Sequence, residues 1–249
     1  IGRDEQGKTT TLGRGGSDYS AALLAEVLDA EDVLIWTDVA GIYTTDPRIV
    51  PNAQRIDTMS FSEAAEMATF GAKVLHPATL LPAVRSNIPV YVGSSKAPQD
   101  GGTWVTRDPQ PRPTFRAIAL RRDQTLLTLS SLNMLHAQGF LANIFTILAK
   151  HKISVDTITT SEVSVAITLD KTGSASSGAT LLSNELISEL SEFCTVKVDT
   201  DLSLIALIGN ALHTTSGTAK RIFDTLEAYN IRMICYGAST NNVCLLADS

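Results

Sequence analysis

The sequence predicts an α/β sheet domain followed by two α+β units of ferredoxin-like pattern. Three observations predict it. Residues 1 to about 100 alternate helical and strand signals, the mark of a layered sheet covered by helices. The stretch Ser94–Pro113 then changes character, because it is rich in Pro, Gly and charge. Beyond it, one pattern of apolar residues occurs twice.

In the first part, Ser17 is expected to cap a helix through Leu28, with its hydroxyl accepting an orphan N–H of the first turn. Ala21, Leu24, Ala25 and Leu28 would form its apolar face. Val33–Trp36 reads as a short buried strand ending at Thr37-Asp38. Phe61–Thr69 reads as an amphipathic helix, Pro77 opens a third, and Pro89–Gly93 is another strand. The segment KAPQDGGTWVTRDPQPRP is expected to be a connector, which puts a domain boundary near Pro111.

The repeat lies between GFLANIFTILAKHKISV, from Gly139, and GTAKRIFDTLEAYNIRM, from Gly217, an offset of 78. Ile144-Phe145 matches Ile222-Phe223, Leu148 matches Leu226, Ile153 matches Ile231, Val165 matches Val243 and Ile167 matches Leu245. A strand precedes each copy (Leu126–Leu129, Leu204–Ile208) and two follow. Between them Ala179–Leu190 reads as a helix and Thr195–Val198 as a strand, completing a βαββαβ pattern.

Composition narrows the function. The chain has 249 residues, 44% of them apolar, enough for two cores. A net charge of −6 argues against nucleic acid as partner, since phosphate binding needs a basic face. No apolar run approaches the roughly 18 residues that span a bilayer. Charged residues are 18%, which suggests surface covered by neighbours in an oligomer. Cys194, Cys235 and Cys244 show no metal-like spacing and read as reduced, buried thiols of a cytoplasmic protein. The chain opens at Ile1 and stops on the strand pattern Val243–Ala247, so both ends are expected to be cut.

Three motifs carry chemistry. In TTTLGRGGSD, glycines stand before a helix start, where the backbone can approach a ligand and N–H groups are free. Arg14 suits a carboxylate and Asp18 an ammonium, so the loop suits an amino acid. A tight turn capping a helix is an equal alternative. WTDVAGIYTTDPR begins where a strand ends, the usual ligand edge of an α/β sheet. Thr37 and Asp38 can hydrogen-bond a nucleotide and Arg48 can neutralise phosphate; a surface Asp-Pro turn would read the same. In FGAKVLHP, Lys73 suits phosphate charge, while a lone lysine is otherwise solvated and His76 before Pro77 is more often structural.

Together, in this order and spacing, GRGGSD, WTDVAGIYTTDPR and FGAKVLHP resemble the amino-acid kinase family and, within it, the aspartate kinases. NMLHAQGFLA and ISVDTITTSEVSVAITLD resemble the lysine-sensitive bacterial group. The resemblance runs through essentially the whole chain. It implies the C-terminal part of an amino-acid-kinase sheet domain over 1–110, then tandem ACT units over 111–200 and 201–249, the second cut short. In this family the second unit is thought to be inserted in the first, so a missing tail would leave a sheet edge unpaired.

The implied reaction is transfer of the ATP γ-phosphoryl group to the β-carboxylate of L-aspartate, with Mg²⁺ accompanying ATP. Arg14, Ser17 and Asp18 would hold aspartate; Thr37, Asp38, Tyr43, Arg48 and Lys73 would line the nucleotide site. The family's Lys-Phe-Gly-Gly phosphate segment has no counterpart here, so the chain alone is expected to lack kinase activity. L-Lysine, the implied inhibitor, would bind the first ACT unit at Met134, Gly139, Phe140, Leu141, Ser154, Val155, Asp156, Thr160, Ser161 and Glu162. Asp156 and Glu162 can pair its ammonium groups, and backbone N–H near Phe140 and Leu141 its carboxylate. Taken alone, Asp156 reads as an ordinary strand-end residue. The family's Ser is Ala137 here. At the same offset the second copy has Ile234 and Thr240, so it reads as structural. A homodimer through the ACT units is implied, with tetramers left open. The rival readings are an amino-acid-sensing module alone, another amino-acid kinase, or the kinase half of a fusion with homoserine dehydrogenase.

Overall fold

The computed structural model describes residues 2–11, 15–71, 75, 77–134, 138–171, 174, 178 and 180–249. Arg14, Lys73, His76, Ala137 and the predicted helix start at Ala179 lie outside the described residues. The chain forms two compact units: 1–120 with 206–219 and 239–243, and 121–205 with 220–238 and 244–249.

The first unit holds a small hairpin, β1 (Gly2–Arg3) with β2 (Thr9–Thr10), and helix α1 (Gly16–Leu28). Its main sheet is built from β3 (Val33–Thr37), β4 (Thr58–Ser60), β5 (Val90–Ser94) and β6 (Gly102–Thr106), in the order β3-β5-β6-β4. β3 runs parallel to β5 and β4 parallel to β6, while β5 and β6 are antiparallel. Val33, Ile35, Val90, Val92 and Val105 are buried, as the period of two in a half-covered strand demands. Trp36, Tyr91 and Trp104 follow one another as a ring contact chain, with centroids 5.6 and 5.0 Å apart.

β6 overturns the connector expected over Ser94–Pro113. Turn chemistry at Pro98–Asp100 and Asp108–Pro113 flanks only five residues of strand, GTWVT. Their strict alternation puts Thr103 and Val105 wholly inside, so the segment becomes an interior strand.

α1 also differs from expectation. Gly15, at φ 73°, takes the N-cap, and Ser17 lies in the first turn. Glycine takes that left-handed conformation at no steric cost. Ala22 and Ala25 form the buried stripe, whereas Leu24, Val27 and Leu28 are exposed.

Helix α2 (Phe61–Thr69) starts on a full capping box: the Ser60 hydroxyl accepts the Glu63 N–H at 3.1 Å, and Glu63 accepts the Ser60 N–H at 2.7 Å. Its carboxylates are anchors. Glu63 Oε1 accepts from Arg116 Nε at 2.8 Å and from the Asn210 amide at 2.7 Å. Glu66 accepts from the Ser239 hydroxyl and the Asn242 amide, both at 2.7 Å. Helix α3 (Pro77–Ser86) begins at the predicted proline.

The repeat appears as β7 (Phe115–Ser130), α4 (Phe140–Lys150), β8 (Ser154–Thr160), β9 (Ser164–Asp170), α5 (Asn184–Ser191), β10 (Thr195–Gly209), α6 (Thr218–Thr225), β11 (Ile231–Tyr236) and β12 (Asn242–Asp248). The sheet order is β11-β12-β10-β7-β9-β8. β10-β7-β9-β8 is the 4-1-3-2 order of a ferredoxin-like unit. The second copy follows the same order when β7 is counted as its last strand, so β7 occupies the position expected to be left unpaired. The duplication reaches the backbone: Asp123 and Asp201, 78 apart, both sit at positive φ (57° and 58°), as do Gly139 and Gly217 (80° and 81°).

The second unit's core gathers Leu127, Leu129, Ile144, Leu148, Val165, Ile167, Leu169, Leu186 and Leu190. α5 starts later than predicted because Ser183 takes the N-cap, its hydroxyl accepting the Leu186 N–H at 3.2 Å. Cys194 and Cys244 are buried as expected, and burial pushes the Cys194 thiol up. Cys235 is only half-buried: its sulfur lies 3.2 Å from the Thr159 hydroxyl, which also reaches the Ile234 carbonyl at 3.2 Å.

Candidate functional site

The predicted nucleotide segment follows directly from the end of β3. Thr37 pairs in register with Ser94, and its carbonyl accepts both the N–H (2.8 Å) and the hydroxyl (3.0 Å) of Ser95. Its own hydroxyl lies 3.2 Å from Asp38 Oδ1, and Asp38 is exposed. These two residues therefore stand at the C-terminal edge of a strand with polar atoms turned to solvent, where an α/β sheet takes its ligands.

After Gly41 the chain makes a loop whose two sides pair with each other. Ile56 N–H donates to the Ile42 carbonyl at 2.8 Å, Tyr43 bridges Arg55, and Thr44 N–H donates to the Gln54 carbonyl at 2.8 Å. The loop carries Tyr43, half-buried, and Arg48, exposed. The Arg48 guanidinium forks onto Asp46, with Nε 2.9 Å from Oδ1 and Nη2 2.7 Å from Oδ2. That hydrogen bond first, then the Asp46 charge and the weaker field of Asp38, hold the guanidinium above its ordinary value. The cation stays fully charged over the physiological range.

Of the residues predicted to hold a substrate amino acid, Ser17 and Asp18 occupy the first turn of α1, with the Ser17 hydroxyl 3.3 Å from Asp18 Oδ1. Asp18 at a helix N-terminus is favoured by the macrodipole as well as by any ligand cation.

The predicted effector residues fall on three pieces of the second unit. Met134 closes the turn Leu132–Met134; Gly139, Phe140 and Leu141 start α4; Ser154–Thr160 is β8, with Ser161 and Glu162 in the turn after it. Their roles are unequal. The Phe140 side chain packs edge-on against Phe193 at 5.6 Å in the core, so Phe140 has only its backbone to offer a ligand. Val155 likewise packs on the core. Leu141 is partly exposed and Glu162 exposed. Ser154 N–H donates to the Ser174 hydroxyl at 3.0 Å. The Ser161 hydroxyl bonds the Ser164 hydroxyl at 2.7 Å and accepts its N–H at 3.1 Å, which ties the exposed turn together.

Asp156 is the informative residue. Register slips between Val155 and Ile158, a bulge that re-aims the strand. Asp156 there lies 2.5 Å from Arg121 Nη1 and is mostly buried. The bulge is pinned from β9: Thr168, fully buried, accepts the Thr157 N–H at 3.0 Å, and the two threonine hydroxyls are 2.6 Å apart. In the second copy the corresponding strand carries Arg232, bonded to Asp199 at 3.0 Å and to Asp248 at 3.1 Å. An open cleft of about 610 Å³ runs beside Ser131–Asn133, Val163 and Phe193–Thr195, flanking Met134 and Glu162 in sequence.

Thr103, Arg121, Thr168 and Ser95 escaped the sequence reading. Thr168 lies inside the ISVDTITTSEVSVAITLD stretch without being singled out there, the other three lie outside the site motifs, and each acts through a partner 11 or more residues away. Only the alternation around Thr103 carried a signal, and the Gly/Pro richness of its surroundings hid it.

Comparison with known proteins follows this geometry. The amino acid kinase family matches residues 1–94, and an ACT domain matches residues 205–249. Lysine-sensitive aspartokinase 3 of Escherichia coli is 67% identical over 246 residues, covering 99% of this chain and 55% of that protein. Along nearly its whole length the chain is similar to an aspartokinase. Its likeness to the chloroplastic aspartokinase 2 of Arabidopsis thaliana is 39% over 96% of the chain and 45% of that protein. Among solved structures, E. coli aspartokinase III with aspartate and ADP (R-state) superposes with a TM-score of 0.89 at 66% identity, over 100% of this chain and 56% of that one. The same enzyme with lysine and aspartate (T-state) gives 0.85 at 66%, over 100% and 55%. The chain thus spans about half the length of the curated relatives it matches. Among its described residues no helix is long and apolar enough to cross a membrane.

Proposed function

We propose that the intact gene product carrying this chain is an aspartate kinase that transfers the ATP γ-phosphoryl group to the β-carboxylate of L-aspartate and is inhibited by L-lysine. The observation that carries the reading is the match, along the whole chain, to the E. coli enzyme solved with aspartate and ADP and again with lysine.

Thr37, Asp38, Tyr43, Arg48 and Lys73 are assigned to the nucleotide, and Arg14, Ser17 and Asp18 to aspartate. The residue types fit such a ligand: hydroxyls and a carboxylate can position phosphate and cations can neutralise its oxygens, and of these Thr37 and Asp38 stand at the end of β3. Mg²⁺ fits as an ion carried on the phosphates; among the described residues no group of three or more His, Cys, Asp or Glu offers a cage.

Lysine is assigned to the first ferredoxin-like copy, where Asp156 supplies a carboxylate and the start of α4 supplies free N–H groups. Inhibition then requires lysine to favour one of two arrangements over the other. Pairing of two chains through these units, in the cytoplasm, completes the proposal.

The test is ADP formation dependent on aspartate, in the intact gene product, for wild type and Arg48→Ala. The variant should raise KM for ATP at least about tenfold, the worth of one charge-assisted hydrogen bond, and leave KM for aspartate unchanged. Aspartate-independent turnover, or equal effects on both substrates, would refute the assignment.

A further inference from the structure

We infer that Thr103 is the positioning residue of the nucleotide segment, fixing the loop that presents Tyr43 and Arg48. The inference deepens the kinase reading above and rests on it.

The loop from Tyr43 to Arg55 hangs from a neck where Ile42 and Ile56 face each other, both buried. One bond crosses that neck, from Ile56 N–H to the Ile42 carbonyl. The Ile42 N–H and the Ile56 carbonyl need other partners, and burial makes an unmet backbone group expensive. Thr103 serves both. Its hydroxyl accepts the Ile42 N–H at 2.8 Å and donates to the Ile56 carbonyl at 2.6 Å. The side chain has no exposure at all and comes from β6, whose Val92↔Thr103 register is set by β5. One strand of the sheet thus clips both ends of the loop to the sheet whose strand β3 ends at Thr37.

Two glycines show how closely the clip is fitted. A Cβ on Gly41, which sits at φ 111°, would lie 2.6 Å from the Thr103 hydroxyl and 3.2 Å from Arg55 Cδ. A Cβ on Gly101 would come within 3.2 Å of the Arg55 guanidinium, which itself bonds the Asp100 carbonyl and sits 3.3 Å from Asp57 Oδ1. Arg55 therefore also packs at the same neck.

Phosphoryl transfer depends on placement, and small displacements of a charged group are costly in rate. Release of the neck should accordingly loosen ATP without touching aspartate. In the intact gene product, Thr103→Val keeps the shape and removes the hydroxyl, while Thr103→Ser keeps the hydroxyl. Thr103→Val should raise KM for ATP about tenfold, as loss of one satisfied buried hydrogen-bond pair predicts, with KM for aspartate unchanged. Thr103→Ser should restore most of the ATP affinity. A merely structural role would lower the active fraction and leave both KM values alone, which would overturn the inference. If Thr103→Val does not fold, Arg55→Met supplies the same reading, with the same selective rise expected. Arg48→Ala run in parallel separates the two levels. Should Arg48→Ala weaken ATP while Thr103→Val and Arg55→Met do not, the positioning role alone is wrong. Should none weaken it, the nucleotide assignment itself fails.

Discussion

Arg116 Nε lies 2.8 Å from Oε1 of Glu63, a carboxylate with no solvent exposure. Three further atoms complete the arrangement, the Ser60 N–H, the Ser60 hydroxyl and the Asn210 amide, so every lone pair facing the protein has a donor. A buried ion pair adds little over an apolar replacement of both partners, yet loss of one partner strands a charge in low dielectric. Arg116→Met should therefore lower the stability of the intact gene product by about 3 kcal/mol, read as a shift in denaturant midpoint. A shift of under about 1 kcal/mol would place the pair among weak surface bridges.

Acid should expose the same pair. Burial pushes the Glu63 carboxyl up, but the Arg116 hydrogen bond, the Ser60 and Asn210 donors and the Arg116 charge together outweigh it, so it lies below its ordinary value of 4.5. A lowered folded value means the unfolded chain takes the proton first. The stabilisation is thus complete above pH 4.5 and fades as pH falls further toward the folded value. Stability of wild type measured downward through that window should fall more steeply than that of Glu63→Gln, which has no proton to take there. Parallel curves would assign acid sensitivity to other groups.

Lysine binding should depend on Asp156 more than on Glu162. Asp156 is mostly buried at a bulge, whereas Glu162 is exposed, where screening weakens any ion pair. Asp156→Asn keeps volume and removes charge. Calorimetric titration of the intact gene product should show lysine affinity reduced at least about tenfold, from loss of one charge-assisted bond, with L-threonine as the control ligand. Glu162→Gln should change it less. The reverse order would move the ammonium site to the turn after β8.

Legibility followed the range of the signal. β3, α2 and the strands of the repeat were readable because a period of two or 3.6 is written in consecutive residues. α2 was found at its observed bounds from its apolar stripe, and the structure adds a capping box at Ser60. The strand β6 was hidden because turn residues on both sides outweigh five alternating ones, and only its place between β5 and β4 makes it a strand. The α1 start was misread by two positions, Gly15 rather than Ser17 taking the cap, and of the predicted face Ala25 is buried while Leu24 and Leu28 are exposed. In the candidate sites, sequence reasoning reached residues within motifs, Asp38, Arg48 and Asp156. It missed Thr103, Arg121 and Thr168, whose partners lie 61, 35 and 11 residues away. No local pattern encodes such pairs.

Thr168 makes the last case. It is fully buried on β9, and its hydroxyl receives the Thr157 N–H at the bulge that carries Asp156. Without that acceptor the extra residue of the bulge has no bond to hold it, and a ladder of normal register becomes competitive. Because the side-chain period is two, a one-residue slip would turn Asp156 to the opposite face, away from Arg121. Thr168→Val preserves the shape and deletes the acceptor, so it should cost about 1–3 kcal/mol for the stranded N–H. Lysine affinity should fall with it, while ATP and aspartate KM values stay as in wild type. Thr168→Ser, which retains the hydroxyl, should recover lysine binding. If Thr168→Val binds lysine as tightly as wild type, the bulge does not depend on this hydroxyl, and the backbone of β8 alone aims Asp156.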